Sequence, residues 1–202
     1  MNLPPIYPIT DVNLSGLSHA EQVKQLARGG ANFIQLRDKT SSPREFYEAV
    51  VTAVATARDL GVRIIINDRV DIALACEADG VHLGQDDLSP AVARKLLGDK
   101  AIIGFSTHSI DQAEAAAKLP VDYIAIGPIF PTSTKQNADP AVGLEGLKKV
   151  RNAIGSIPLV AIGGITRENI SEVLKSADSA AVISALHVGD LTDNFRDLNR
   201  SV

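Results

Sequence analysis

Aromatic residues are scarce in this chain of 202 residues, at 4% with no Trp. Apolar residues still make up 45%, so the apolar content is mostly Ala, Val, Ile and Leu, which are typical of parallel strands buried on both faces. With 22% charged residues, the composition is that of an ordinary globular protein. The length fits one domain with a sizeable core.

Cysteine is almost absent, and long apolar runs are missing. Cys76 is the one cysteine, so no internal disulfide can form, and we expect it to be a buried apolar residue on a helix. No run approaches the roughly 18 apolar residues of a membrane helix, and the first 30 residues lack the pattern of a signal peptide. We therefore expect a cytoplasmic protein without a membrane partner.

The net charge is −4, and the two signs are interspersed without a basic cluster. A dedicated nucleic-acid binder should present a clustered positive face, so we do not expect a nucleic-acid partner. Small anionic substrates remain compatible, because a few local cations can bind them. Whether the chain forms a homo-oligomer is left open.

One pattern repeats from end to end: a short β-branched run, a polar or glycine-bearing turn, then an amphipathic segment. None of the apolar runs alternates cleanly with polar residues, as expected of strands buried on both faces. We predict eight strands, at 6–10, 33–36, 63–66, 80–83, 101–105, 123–126, 158–162 and 180–183.

The segments between these runs carry helix start and stop signals. Pro43 can occupy the first turn of a helix that ends at Gly61, and Ser89 precedes a similar helix. Ser109 and Thr166 are typical N-caps, each followed by an acidic first turn. We also predict a short final helix in the C-terminal tail.

Strict alternation of strand and helix predicts parallel pairing with right-handed crossovers. Eight such units favour a closed (β/α)8 TIM barrel, whereas open doubly wound sheets more often stop at five or six. We therefore expect 1–202 to be a single TIM-barrel catalytic domain, with its site at the carboxyl ends of the strands. The longest connection, 131–142, is polar, and we expect it to act as a lid over that site.

Polar residues directly continue the second strand. Period-two alternation places Gln35, Arg37 and Lys39 on one side of the chain and Asp38 on the other. A guanidinium and an ammonium at the catalytic end of a buried strand favour an anionic, phosphate-bearing ligand.

Carboxylates follow the next two strands, as Asn67-Asp68 and as Asp86-Asp87. Acids at the ends of adjacent strands can meet above the barrel, and Mg²⁺ takes one or two carboxylates together with phosphate oxygens and water. The alternative is that these residues cap helices. Spacing alone does not choose between Asp86 and Asp87 as the ligand.

The remaining polar segments are the histidines and the last three loops. His82 lies within a strand and can point inward or outward, and His108 follows the fifth strand; we assign neither to the chemistry. The segment 127–135, GPIFPTSTK, offers hydroxyls and a lysine, and Gly163 and Gly164 allow close backbone approach to an anion. Loops after the last two strands form the phosphate site of many barrels.

Eight segments together resemble the thiamine-phosphate synthase family over nearly the whole chain. They are YPITD, QLRDK, ND at 67–68, HLGQDDL, GFSTHS, GPIFPTSTK, AIGGI and VISAL, in family order and spacing. The resemblance implies a Mg²⁺-dependent transferase that joins 4-amino-5-hydroxymethyl-2-methylpyrimidine diphosphate to a thiazole phosphate and releases pyrophosphate. It also implies a dissociative mechanism, in which a pyrimidine-methyl cation is captured by the thiazole nitrogen.

The resemblance further implies residue roles. The pyrimidine diphosphate would be held by Gln35, Arg37, Lys39, Asn67, Ser106 and Lys135, the thiazole phosphate by Thr132, Thr134, Gly164, Ile183 and Ser184, and Mg²⁺ by Asp68 and Asp87. Among these, Arg37, Lys39, Lys135 and Ser106 would be the catalytic residues.

Other functions stay open at this point. A thiazole tautomerase shares the fold, but it should not need the full set of residues for a pyrimidine diphosphate. A non-catalytic regulatory barrel would bind the phosphate product without turnover. An indole-glycerol-phosphate or ribulose-phosphate type of barrel would leave the acid pair and the TSTK segment unexplained.

Overall fold

A computed structural model describes residues 1–132, 140–187 and 189–202 of the chain. The strands are β1 Ile6–Pro8, β2 Phe33–Leu36, β3 Arg63–Asn67, β4 Gly80–Leu83, β5 Ile102–Thr107, β6 Tyr123–Ile126, β7 Leu159–Ile162 and β8 Ser179–Val182. The helices are α1 Val12–Ser15, α2 His19–Gly29, α3 Pro43–Leu60, α4 Val70–Ala75, α5 Pro90–Leu97, α6 Ile110–Ala116, α7 Gly143–Ile154, α8 Ile170–Val173 and α9 Leu191–Asn199, with a 3-10 turn at Ser184–Leu186. Strand and helix thus alternate as predicted.

The strands form one parallel sheet in the order β1-β8-β7-β6-β5-β4-β3-β2. The two ends of this order meet, because Ile9 forms a parallel bridge with Gln35 and the Thr10 amide donates to the Gln35 carbonyl at 2.9 Å. The sheet is therefore closed, and the predicted TIM barrel is confirmed. All eight predicted runs contain a strand: three have the predicted bounds, and the ends of the other five differ by at most two residues.

Apolar residues fill two separate layers. The larger layer lies between the sheet and the helices, and the smaller layer fills the barrel with Tyr7, Phe33, Ile65, Tyr123 and Val160 among its members. Strand residues are buried on both faces because these two layers cover them. Three aromatic side chains, Tyr7, Phe33 and Tyr123, thus lie in the barrel interior, whereas Phe46, Phe105 and Phe195 belong to the outer layer.

Most of the predicted helix ends are confirmed. Ser42 and Glu45 form a capping box around Pro43, and α3 ends at Gly61 in the left-handed region with φ of 67°. Ser109 caps α6 as predicted. The expectation for Thr166 is wrong: its hydroxyl donates to Glu168, and α8 starts four residues later, after a turn. The final helix and the burial of Cys76 at the end of α4 are as expected.

Three aspartates fix the end of the barrel opposite the cavity described below. Asp79, Asp122 and Asp178 each precede an even-numbered strand, and each carboxylate accepts a 2.7 Å hydrogen bond from a backbone amide at the start of the preceding odd-numbered strand. The donors are Ile64, Ile103 and Leu159. These bonds satisfy amides that the sheet ladder leaves unpaired, so they stabilise this end.

Within the described ranges, no helix is both long enough and apolar enough to span a membrane. That 1–202 is a single catalytic domain stays a prediction.

Candidate active site

A cavity of about 580 Å³ opens at the carboxyl ends of the strands. Its lining includes eleven residues singled out in the sequence: Gln35, Arg37, Lys39, Asn67, Asp68, Asp87, Ser106, Thr132, Gly164, Ile183 and Ser184. Thr134, Lys135 and most of the expected lid lie outside the described residues. The closed barrel thus brings together residues from seven strand ends, β2 to β8, that are spread along the sequence.

The two cations after β2 are each paired with an acid. The Arg37 guanidinium lies 3.4 Å from an Asp11 carboxylate oxygen, and the Lys39 ammonium forms an ion pair with Asp68. The predicted alternation holds, because Gln35 also lines the cavity. Lys39 remains about half exposed and is accessible to a ligand.

Asp38 points away from the cavity and organises the turn before α3. Its carboxylate accepts hydrogen bonds from the amides and hydroxyls of Thr40 and Ser41, at 2.7–3.0 Å. Partial burial raises the pKa of Asp38, but the four hydrogen bonds outweigh this effect and lower it from 3.8 to about 2. Asp38 therefore holds the backbone that presents Arg37 and Lys39.

Asp68 and Asp87 meet at the ends of β3 and β4. Asp68 has a positive φ of 62°, uncommon for a residue with a side chain, and its amide donates to the His82 carbonyl at 2.8 Å. Burial raises the pKa of Asp87; the hydrogen bond from the Gly84 amide, at 2.7 Å, lowers it, and the adjacent charge of Asp68 raises it further. Two mutually repelling carboxyls at one point fit a site for a divalent cation.

The alternative that these acids cap helices is wrong. α4 begins after Arg69 without a side-chain cap, and Ser89 caps α5. No group of three or more Asp, Glu, His or Cys side chains in the described part of the chain is arranged to hold a metal ion. A cation at Asp68 and Asp87 would therefore need further oxygen ligands from substrate and water, which is the usual arrangement for Mg²⁺ beside a phosphate.

His82 points into the barrel, which resolves the ambiguity left by the sequence. Its Nε2 lies 2.8 Å from Ser106 Oγ, and its Nδ1 lies 3.0 Å from the Tyr123 hydroxyl. Burial lowers the pKa of His82 to about 4, so the imidazole is neutral at neutral pH. Gln85 supports Ser106 from the other side by donating to its carbonyl at 2.6 Å.

The opposite wall of the cavity is formed by the loops after β6, β7 and β8. Gly163 and Gly164 have φ of 100° and 65°, and a Cβ on Gly164 would lie 2.7 Å from the Cβ of Phe130. Glycine is thus required here by the backbone conformation and by packing against the β6 loop. His108 lines the same cavity, with Nδ1 2.7 Å from the Gly127 carbonyl.

Comparison with known proteins decides the family. A model of the family described as thiamine monophosphate synthase matches residues 6–186. The chain belongs to that family. It is 50% identical over 183 residues to the thiamine-phosphate synthase of Syntrophomonas wolfei, covering 90% of this chain and 87% of the relative. It is 46% identical over 201 residues to that of Methanoregula boonei, covering 98% and 92%.

A solved structure agrees with this membership in the thiamine monophosphate synthase family. The thiamine phosphate pyrophosphorylase of Pyrococcus furiosus superposes with a TM-score of 0.87 at 39% identity, over 97% of this chain and 94% of that one. The resemblance inferred from eight short segments is therefore confirmed, and with it the assignment to a family of transferases.

Sequence reasoning missed several residues at this family site. Tyr7 lines the cavity and Tyr123 lies beneath it, but the sequence assigns neither of them a role in the site. Inward strand positions that carry a hydroxyl could have indicated them, since a buried phenol needs a hydrogen-bond partner. Asp11 and Gln85 belong to the family segments YPITD and HLGQDDL, but no role could be assigned to them, because only the folded chain brings them to Arg37 and Ser106.

Proposed function

We propose that this chain joins 4-amino-5-hydroxymethyl-2-methylpyrimidine diphosphate to a thiazole phosphate, giving thiamine phosphate and pyrophosphate. One observation carries the proposal: Arg37, Lys39 and the carboxyl pair Asp68–Asp87 lie together on one cavity wall. The cations suit a diphosphate, whereas the acids alone would repel it. A divalent cation bound by both the acids and the diphosphate would remove this repulsion, so the acids and the cations can serve the same ligand.

We propose Mg²⁺ as that cation, held by Asp68 and Asp87. When bound, it would supply charge neutralisation for the diphosphate leaving group. Arg37 and Lys39 would exchange their present partners, Asp11 and Asp68, for diphosphate oxygens. The C–O bond to the pyrimidine methylene then breaks, and the electron pair leaves with pyrophosphate. The thiazole nitrogen captures the resulting cation without an enzyme nucleophile.

The other residues would orient the two substrates. Gln35, Asn67 and Ser106 would hold the pyrimidine, and Lys135 would contact the diphosphate. Thr132, Thr134, Gly164, Ile183 and Ser184 would hold the thiazole phosphate, supported by the glycine conformations after β7. Holding both reactants at attack distance would supply a large part of the rate enhancement. The single cysteine supports a cytoplasmic location for this reaction.

The test is product formation by the purified chain from both substrates, with Mg²⁺ present or chelated. We compare Asp87→Asn with Asp86→Asn, its neighbour on the same cavity. Asp87→Asn should lower turnover by orders of magnitude, because it removes a metal ligand, whereas Asp86→Asn should keep most of it. Calorimetric titration of Mg²⁺ in the presence of pyrophosphate should show weaker binding for Asp87→Asn only.

Asp68→Ala and Lys135→Ala should likewise lose orders of magnitude in turnover while their circular dichroism stays that of the wild type. Wild-type turnover by either folded variant would contradict the proposed roles. No product from the wild-type chain, together with tight binding of thiamine phosphate, would instead indicate the regulatory function or the tautomerase.

A further inference from the structure

A continuous row of side-chain hydrogen bonds crosses the inside of the barrel beneath the cavity. Gln35 Nε2 donates to the Tyr7 hydroxyl at 3.0 Å, and the Tyr7 and Tyr123 hydroxyls are 2.9 Å apart. The Tyr123 hydroxyl lies 3.0 Å from His82 Nδ1, and His82 Nε2 lies 2.8 Å from Ser106 Oγ. The row starts and ends at side chains that line the cavity, so it connects two points of the site through buried groups.

The direction of these bonds follows from the orientation of the Gln35 amide, whose Nε2 and not its Oε1 faces the Tyr7 hydroxyl. An amide NH₂ can only donate, so the Tyr7 oxygen accepts from it. Tyr7 is 1% exposed, and in the described part of the chain its hydroxyl meets only Gln35 and Tyr123. If Tyr123 donated to Tyr7, the Tyr7 proton would be buried without an acceptor, which is unfavourable. Tyr7 therefore donates to Tyr123.

The same direction continues to the other end of the row. The Tyr123 hydroxyl has accepted one bond, so its own proton goes to His82 Nδ1. A neutral imidazole has one donor and one acceptor, and Nδ1 is now the acceptor, so the proton is on Nε2. Nε2–H donates to Ser106 Oγ, which leaves the Ser106 hydroxyl proton free to point into the cavity.

We propose that His82 is a positioning residue that makes Ser106 a hydrogen-bond donor toward the substrate. This inference rests on the proposed function, because it concerns how the same site selects an aminopyrimidine. An aminopyrimidine edge presents a ring-nitrogen acceptor next to an amino donor. The Ser106 hydroxyl would donate to the ring nitrogen, and the amide oxygen of Gln35 would accept from the amino group. A pyrimidine with a carbonyl in place of the amino group presents the opposite pattern and is excluded.

The direct test needs no substrate, so it stands apart from any failure of the proposed activity. Nitrogen-15 NMR of the free protein at neutral pH distinguishes the two imidazole tautomers. The chain has four histidines, and the His82 signals are assigned by their loss in His82→Gln or by elimination with variants of the other three. We expect the Nε2–H tautomer. The Nδ1–H tautomer would overturn the inference.

A matched pair of variants tests the consequence for catalysis. Tyr123→Phe removes the group that donates to His82, whereas Tyr7→Phe removes an equally buried hydroxyl but leaves that donor in place. We expect kcat/KM for the pyrimidine diphosphate to fall about tenfold further in Tyr123→Phe than in Tyr7→Phe, because about tenfold corresponds to the loss of one hydrogen bond. The KM for the thiazole phosphate should be unchanged. Equal losses would contradict the inference.

Two replacements of His82 distinguish its hydrogen bond to Ser106 from its contribution to packing. In His82→Gln an amide N–H can take the place of Nε2–H and donate to Ser106, whereas His82→Leu fills the space without a donor. We expect His82→Gln to retain about tenfold more kcat than His82→Leu, both compared as folded proteins by circular dichroism. Equal loss in the two variants would show that His82 acts through shape alone.

Discussion

Two aspartates at the same end of the barrel have opposite pKa shifts, which shows how closely local contacts control the site. The pKa of Asp38 is lowered because the hydrogen bonds of Thr40 and Ser41 outweigh its burial. The pKa of Asp87 is raised by burial and by the adjacent charge of Asp68. The ionised Asp38 therefore stabilises the fold, whereas the ionised Asp87 is unfavourable until a cation binds.

Asp38→Asn should destabilise the protein in a pH-dependent way. Because the folded pKa, about 2, is below the ordinary 3.8, the stabilisation is present above about pH 4 and is lost as the pH falls toward 2. We expect Asp38→Asn to lower the free energy of unfolding by about 1–2 kcal/mol near neutral pH. Urea titrations should show this difference shrinking at acidic pH. A difference independent of pH would mean that the carboxylate charge is not the cause.

Glycines within the strands serve a different purpose from the glycines that end helices. A Cβ on Gly104 of β5 would overlap the phenol ring of Tyr123, whereas a Cβ on Gly61 after α3 would meet no atom within 4 Å. Gly61 is therefore required only by its φ of 67°. Gly104 is required because two neighbouring strands place a backbone and a large side chain in the same space.

Gly104→Ala and Gly61→Ala form a matched pair. We expect Gly61→Ala to lower the free energy of unfolding by about 1–2 kcal/mol, through backbone strain, with unchanged turnover. Gly104→Ala should cost about 3 kcal/mol or more, because it overpacks the barrel interior, and should also reduce turnover by displacing Tyr123. Thermal unfolding and product assays check both. Similar costs for the two variants would contradict the packing argument.

Closure of the barrel depends on a short junction between β1 and β2. Thr10 follows the Ile9–Gln35 bridge and is fully buried. Its hydroxyl lies 2.8 Å from His19 Nδ1 and accepts a hydrogen bond from the Arg37 backbone amide at 3.3 Å. Thr10 therefore connects the first strand, α2 and the segment that carries the cations. The geometry of the cavity wall thus depends on a residue outside the cavity.

Thr10→Val keeps the shape of the side chain but removes these hydrogen bonds. We expect a loss of about 1–3 kcal/mol in the free energy of unfolding, since the Arg37 amide and His19 are left buried without this partner. Turnover should also fall, because Arg37 is less well positioned. Thr52→Val, on the exposed face of α3, is the control and should change stability by no more than about 0.5 kcal/mol. Unchanged stability in Thr10→Val would show that another contact closes the barrel.

The sequence predicted the architecture well because the barrel is built from local signals. β-branched runs gave each strand, and Ser42, Pro43 and Gly61 show capping chemistry that can be identified from neighbouring residues. The prediction that Thr166 caps a helix failed because the residues that favour N-caps also favour turns. Where α8 begins depends on how the segment after β7 folds.

The order of residues along the chain is enough to predict the closed barrel, the end at which polar residues gather and the family. Which side chains meet is seen only in the folded barrel. It placed Asp68 against Asp87, turned His82 inward and aligned Gln35, Tyr7, Tyr123 and Ser106 in one row of hydrogen bonds. The reason is physical: these contacts join different strands, some of them on opposite sides of the barrel, and the register and closure of the sheet set their distances.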